Sequence, residues 1–271
     1  MSTKLISWHG LPAVYLQNDD AEAVVTLHGA HVVSYIPAGG SEVLFVSKCS
    51  EFVDGKAIRG GVPVCFPWFG APPQGENRAH GLVRYSSWKL LEADKTGAVF
   101  GMTVKNFRLR YTVQAAETLK LSLHIENISD ADQSFTGALH TYFKVADVAS
   151  VALDGLENAG YFDSLTGKFQ IQTAPLLINC ETDRIYKSSA AVTLDDPVLK
   201  RRITVEKSGS ASTVVWNPWS RKSQKMADFG DEEYTEMLCI EAANAAAVND
   251  TKMLKSGGCA ALEQMISAEN Y

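Results

Sequence analysis

The sequence predicts an all-β fold, one large antiparallel sandwich, and three features carry that expectation. Strand-like segments dominate the 271 residues, helical signals are sparse and short, and strands never alternate regularly with helices. The last point argues against a doubly wound parallel sheet. No linker, low-complexity run or heptad pattern divides the chain, so residues 1–271 read as a single domain.

The elements follow in order. "AVVTLHGAHVVSYIP" gives two short extended pieces around Gly29, and "AVFGMTVKN" and "RLRYTVQAA" give two more. "TLKLSLHIEN" alternates cleanly, with Leu119, Leu121, Leu123 and Ile125 on one face and Lys120, Ser122, His124 and Glu126 on the other. That is the period of a half-exposed strand. Further strands are predicted at "SFTGALHTYFKV", "VASVALDG", "STVVWN" and "MLCIEAAN", with turn chemistry such as "PAGG", "DADQ" and "DDP" between segments. The best helical stretch is "SRKSQKMADFG".

Composition narrows the function. A formal net charge of −6 argues against nucleic acid or an anionic membrane as the main partner, because both are held by neutralising phosphates. The five cysteines are odd in number, scattered and without a C-x-x-C pair, so each reads as a small hydrophobe. "MSTKLISWHG" lacks the apolar stretch of a signal peptide, and no run is long enough to span a bilayer, which predicts a cytoplasmic protein. No phosphate-binding loop, dinucleotide fingerprint or nucleophile elbow occurs, so no cofactor is expected. No obligatory protein partner is implied.

One stretch stands apart. "AIRGGVPVCFPWFGAPPQGENRAHGLVR", residues 57–84, combines basic Arg59, His80 and Arg84 with prolines and the aromatics Phe66, Trp68 and Phe69. Rigid apolar walls beside cations suit a pocket for a polar, anionic small molecule; Trp68 and Phe69 fit core packing equally well.

Elsewhere, His140 in "GALHTYF" shares a strand face with Thr136, Ala138 and Tyr142. It suits either a satisfied core histidine or an acid–base group, since its ordinary pKa lies near neutrality. Glu241 interrupts the apolar "MLCIEAANAAAV". A buried carboxylate is costly unless ion-paired or put to chemical use, and burial raises its pKa toward that of a general base. Asp183 and Arg184 in "CETDRIY" read as a turn with an exposed ion pair. The pair His28 and His31 lacks an acidic or cysteine partner at ligand spacing, so no metal is expected.

Taken in order, "GAHVVSY", "IRGGVPVCFPWFG", "AHGLVR", "ALHTYF", "VVWNPW" and "MLCIEAAN" resemble the hexose-6-phosphate epimerases (glucose-6-phosphate 1-epimerases). These belong to the aldose 1-epimerase, or galactose mutarotase-like, superfamily. The resemblance runs over roughly residues 20 to 245 and implies a β-super-sandwich of mostly antiparallel strands. It implies that His140 is the general acid toward the ring oxygen and Glu241 the general base toward the C1 hydroxyl. Arg59, His80, Arg84 and Asp183 match substrate contacts, the arginines being suited to a sugar phosphate. Where some members carry Gln before the "HG" motif, this chain has Ala79, so that contact is lost or replaced. "KSGGCAALEQ" lacks the common Pro-Gly turn, a change confined to a strand connection.

Three other readings compete. An epimerase for unphosphorylated sugars would need no anion site, and a non-catalytic carbohydrate-binding module would need no acid–base pair. A glycoside hydrolase would need two carboxylates, for which Asp183 and Glu241 are the candidates.

Overall fold

Two large antiparallel sheets and a smaller one make up most of residues 2–271, the part of the chain that this computed structural model describes. Nine strands form one large sheet, in spatial order Leu176–Leu177, Ala152–Asp154, Val192–Asp196, Arg201–Ser208, Cys259–Asn270, Thr118–Asn127, Phe107–Ala115, Gly97–Val104 and Lys89–Ala93. Eight form the other, ordered Lys168–Ile171, Gly160–Asp163, Thr182–Lys187, Ser212–Asn217, Met237–Asn244, Gly137–Leu139 and Val64–Cys65, with Tyr142–Lys144 also pairing against Met237–Asn244. The N-terminal strands Ser2–Trp8, Leu11–Gln17, Ala21–Thr26 and His31–Pro37 make a meander of their own.

Alternation decides which face each strand buries. Leu119, Leu121, Leu123 and Ile125 are buried while Lys120 and His124 are exposed, as the period of two requires. From the eight-stranded sheet, Leu139, Phe143, Val215 and Ile240 face inward and join the same apolar core. The intervening residues Ala138, Tyr142, Val214, Trp216 and Cys239 pack in separate clusters on the outer face. That outer face carries the candidate site.

Several elements differ from the sequence expectation. "SFTGALHTYFKV" is three short strands rather than one, because the chain leaves the ladder at His140, whose N–H donates to Pro63 O at 3.0 Å. "VASVALDG" begins as a 3₁₀ turn, Val148–Ser150, with the Asp147 carboxylate accepting from Ala149 N at 3.0 Å. The helical stretch shrinks to Trp219–Ser223, the only α-helix among the described residues.

The hairpin Ser2–Trp8/Leu11–Gln17 was not expected; its first strand lies at a sheet edge, with Leu5 72% exposed, and so has no clean alternation to read. Nor was the strand Cys259–Asn270, where buried Gln264 occupies a core position and donates to Ile240 O across the sandwich at 3.1 Å. All five thiols are free, but Cys49, Cys180 and Cys259 are exposed; only Cys65 and Cys239 are small buried hydrophobes. Among the described residues no helix is long and apolar enough to cross a membrane.

Candidate active site

A row of paired residues crosses the outer face of the eight-stranded sheet. In register, Asp183 lies opposite Trp216, Trp216 opposite Cys239, and Cys239 opposite Tyr142. One row along, Val214 faces Glu241. Because alternate residues share a face, Glu241 sits beside Cys239, and His140 beside Tyr142. The His140 and Tyr142 rings stack at 4.9 Å and 10°.

Over this face lies a cavity of about 310 Å³ lined by Arg59, His80, His140, Asp183 and Glu241, together with Phe69, Trp216, Lys222, Val214 and Met226. Such a mix of apolar wall and converging polar groups is the usual form of a small-molecule site. Phe69 thus walls the pocket, whereas Trp68 does not line it and donates its indole N–H to Arg78 O.

His140 Nδ1 stands 3.4 Å from Glu241 Oε1. Both side chains are almost wholly buried, and His140 Nδ1 and Glu241 Oε2 lack a hydrogen-bond partner. Burial, reinforced by the neighbouring His80, Arg84 and Arg59, holds the His140 imidazole well below its ordinary pKa. Burial, with the Asp183 carboxylate nearby, holds the Glu241 carboxyl well above the usual range. Burial therefore favours a neutral imidazole beside a neutral carboxylic acid.

The other predicted residues fall into three positions. His80 reaches the cavity, its ring 5.5 Å from that of His140, and its Nδ1 accepts from Gly70 N at 3.4 Å. Burial and the charges of Arg84 and Arg59 depress its pKa to about 3. Asp183 also lines the cavity, with burial raising its pKa. It sits within the strand Thr182–Lys187, not in a turn, and Arg184 leaves the opposite face to reach Gln172. The expected Asp183–Arg184 ion pair is therefore replaced by two residues on opposite faces of a sheet.

Arg59 lies in the wall between the main cavity and an adjoining one of about 270 Å³ that Arg84 also lines. Its guanidinium donates from Nε and Nη2 to Asp228 at 3.1 and 3.3 Å, and from Nη1 to Tyr142 Oη at 3.0 Å. Burial opposes its charge, but Tyr142 and Asp228 more than offset this. Arg84 is not on the main cavity. Only 8% exposed, it donates to Tyr85 Oη and Ala79 O, leaving its buried Nε without a partner.

His28 and His31 are structural: their Nε2 atoms bond to Lys56 O and Gly60 O. Among charged residues at the site, Lys222 and Asp228 escaped the sequence reading. Lys222 sits at the cavity rim, 3.3 Å from Glu181. Asp228 is 169 residues from Arg59, a distance at which sequence carries no local signal.

Residues 12–258 match the family Aldose 1-epimerase. A protein of Cenchrus ciliaris named "Putative glucose-6-phosphate 1-epimerase" is 34% identical, the alignment covering 87% of this chain and 78% of the relative. One of the same name from Escherichia coli K12 is 33% identical over 87% of this chain and 84% of its own length. Among solved structures, a "putative mutarotase" of Salmonella typhimurium superposes with a TM-score of 0.91 at 27% identity, covering 100% of this chain and 94% of that one.

Proposed function

The chain belongs to the aldose 1-epimerase family, and on that premise we propose that it interconverts the α and β anomers of a hexose 6-phosphate, glucose 6-phosphate first among them. The observation that carries this reading is the buried His140–Glu241 pair, 3.4 Å apart on the cavity wall with polar atoms left unbonded.

The chemistry needs one acid and one base. Glu241 as carboxylate takes the proton of the C1 hydroxyl while His140 as imidazolium gives one to the ring oxygen. The bond from C1 to the ring oxygen breaks and the aldehyde C=O forms. Rotation about C1–C2 turns the other carbonyl face to the C5 hydroxyl, and the reverse transfers close the ring. After opening, the pair is a neutral imidazole and a carboxylic acid, which is the state that burial favours. The two forms hold the same number of protons, so a single transfer across the 3.4 Å contact regenerates the ion pair. No residue need gain or lose a proton to solvent in a turnover.

Arg59, Arg84 and the rim cation Lys222 are the groups available to the 6-phosphate, with His80 and Asp183 left for sugar hydroxyls. A second reading, an epimerase of free aldoses, is favoured by one observation: Asp228 already occupies the Arg59 fork. Anomer-exchange NMR decides between them. Glucose 6-phosphate should exchange faster than glucose on the protein, without added nucleotide. Arg59→Ala and Arg84→Ala should each cost the phosphate sugar about 10- to 150-fold more in kcat/KM than glucose, the range of a charge-assisted hydrogen bond. Equal losses on both sugars would remove the phosphate clamp and leave the free-aldose reading.

A further inference from the structure

Beside the His140–Glu241 pair lies a buried group that acid–base chemistry does not use. Cys239 stands two residues before Glu241 on the strand Met237–Asn244, so both side chains leave the same face. One donor atom each from His140, Cys239 and Glu241 lie within 4.8 Å of one another, and all three residues are buried. His140 Nδ1 and Glu241 Oε2 are covered yet lack any hydrogen-bond partner, a costly condition that a bound ligand would relieve. Imidazole, thiolate and carboxylate together suit Zn²⁺ or Co²⁺, whereas Mg²⁺ and Ca²⁺ want oxygen alone. Three protein ligands leave a fourth position on a tetrahedral ion, and two of the three, His140 and Glu241, line the cavity.

We propose that His140, Cys239 and Glu241 form a binding site for a zinc-class divalent cation, and that its occupancy shuts the pocket to sugar. Binding breaks the Cys239 S–H bond and any O–H bond on Glu241, forms metal–sulfur and metal–oxygen bonds and a metal–nitrogen bond to the lone pair of neutral His140, and releases the two protons to solvent. No electron changes hands. The site stands independently of the proposed function; its inhibitory consequence rests on that reading, because the metal takes the two groups that proton transfer needs.

Cobalt is the probe. Co²⁺ added to metal-stripped protein should give a thiolate charge-transfer band in the near ultraviolet, which Zn²⁺ displaces. Cys239→Ser and Cys239→Ala should both lose the band. Their zinc affinity, measured by equilibrium dialysis, should fall by at least the ~10- to 100-fold that loss of an outer-shell partner costs. The exposed thiols Cys49, Cys180 and Cys259 are the competitors, so dependence on Cys239 is the deciding feature. Zinc should also suppress anomer exchange in wild type, competitively with sugar and reversibly by chelator, and far less in Cys239→Ala. No band, or one of equal strength in both variants, overturns the site. A Cys239-dependent band with undiminished exchange supports the site and instead counts against the acid–base roles.

Discussion

His140 and Glu241 are driven by the same burial in opposite directions, one toward losing its proton and one toward keeping it. Two consequences follow at this scale. His140→Ala and Glu241→Gln should each lower kcat by about 100-fold or more, in line with positioned proton transfer, and weaken sugar binding less. A folded variant retaining most of its turnover would show that residue to be misassigned. The second concerns pH. Activity requires one shared proton over the pair. It should fail on the acid side only when the pair takes up a second proton, well below 6.5, and on the alkaline side only when the pair loses its shared one, well above 4.5. Both limbs belong to the coupled pair and not to either residue. A kcat profile that falls through a single step near 6.5 would mean that His140 titrates as an ordinary, uncoupled imidazole.

At the scale of elements, the loop 57–84 is shaped by close backbone approaches. Gly81 has φ +82°, and a Cβ there would lie 2.0 Å from Phe66 O; Gly61 has φ +57°, with a Cβ 2.3 Å from Val32 O. Neither neighbour can yield, because both are backbone. Gly81→Ala should therefore cost at least about 1–3 kcal/mol, the scale of local backbone strain, and move His80 out of the cavity. Thermal unfolding should drop by several degrees and kcat/KM should fall; an unchanged midpoint with full activity would refute the close approach.

The same scale shows what the sequence made legible. Strands with one polar and one apolar face were readable, and so was Glu241, a carboxylate amid apolar neighbours. Tyr142 was placed correctly beside His140 by alternation alone. What failed depended on distant contacts. Asp228 meets Arg59 only in the folded chain, Arg84 turns away from the main cavity toward Tyr85 and Ala79, and Lys222 lies in the stretch that reads as helix. The first strand of the N-terminal hairpin failed for the opposite reason, since an edge strand with no fully buried side chain among its described residues prints no clear period on the sequence.

For the molecule as a whole, buried neutral histidines should make stability fall in mild acid. His31 is 1% exposed, and burial, partly offset by its bond to Gly60 O, lowers its pKa from 6.5 to about 3. A depressed histidine means that the unfolded chain binds more protons, so stability drops as pH falls from 6.5 toward 3. His80 and His140 act with the same sign. Glu241 and Asp183 act against them: their raised pKa values make the native state bind more protons above 4.5 and 3.8 respectively, so acidification there adds stability. Glu241 and His140 thus act with opposite signs, while His31 and His80 both pull stability down as pH falls below 6.5. The carboxylates with lowered pKa values, such as Asp94, Asp250 and Glu263, begin to contribute only at lower pH. One proton is worth about 1.4 kcal/mol per pH unit, so His31 alone should remove a few kcal/mol across its window. Urea unfolding of wild type and His31→Gln at steps from pH 7 to about 4.5 isolates this contribution. Wild type should lose stability steadily, and the variant, although less stable at pH 7, should show a slope smaller by about one proton. Identical slopes would mean that His31 binds its proton in the native state as readily as in the unfolded chain, and that its burial beside Gly60 carries no titration penalty.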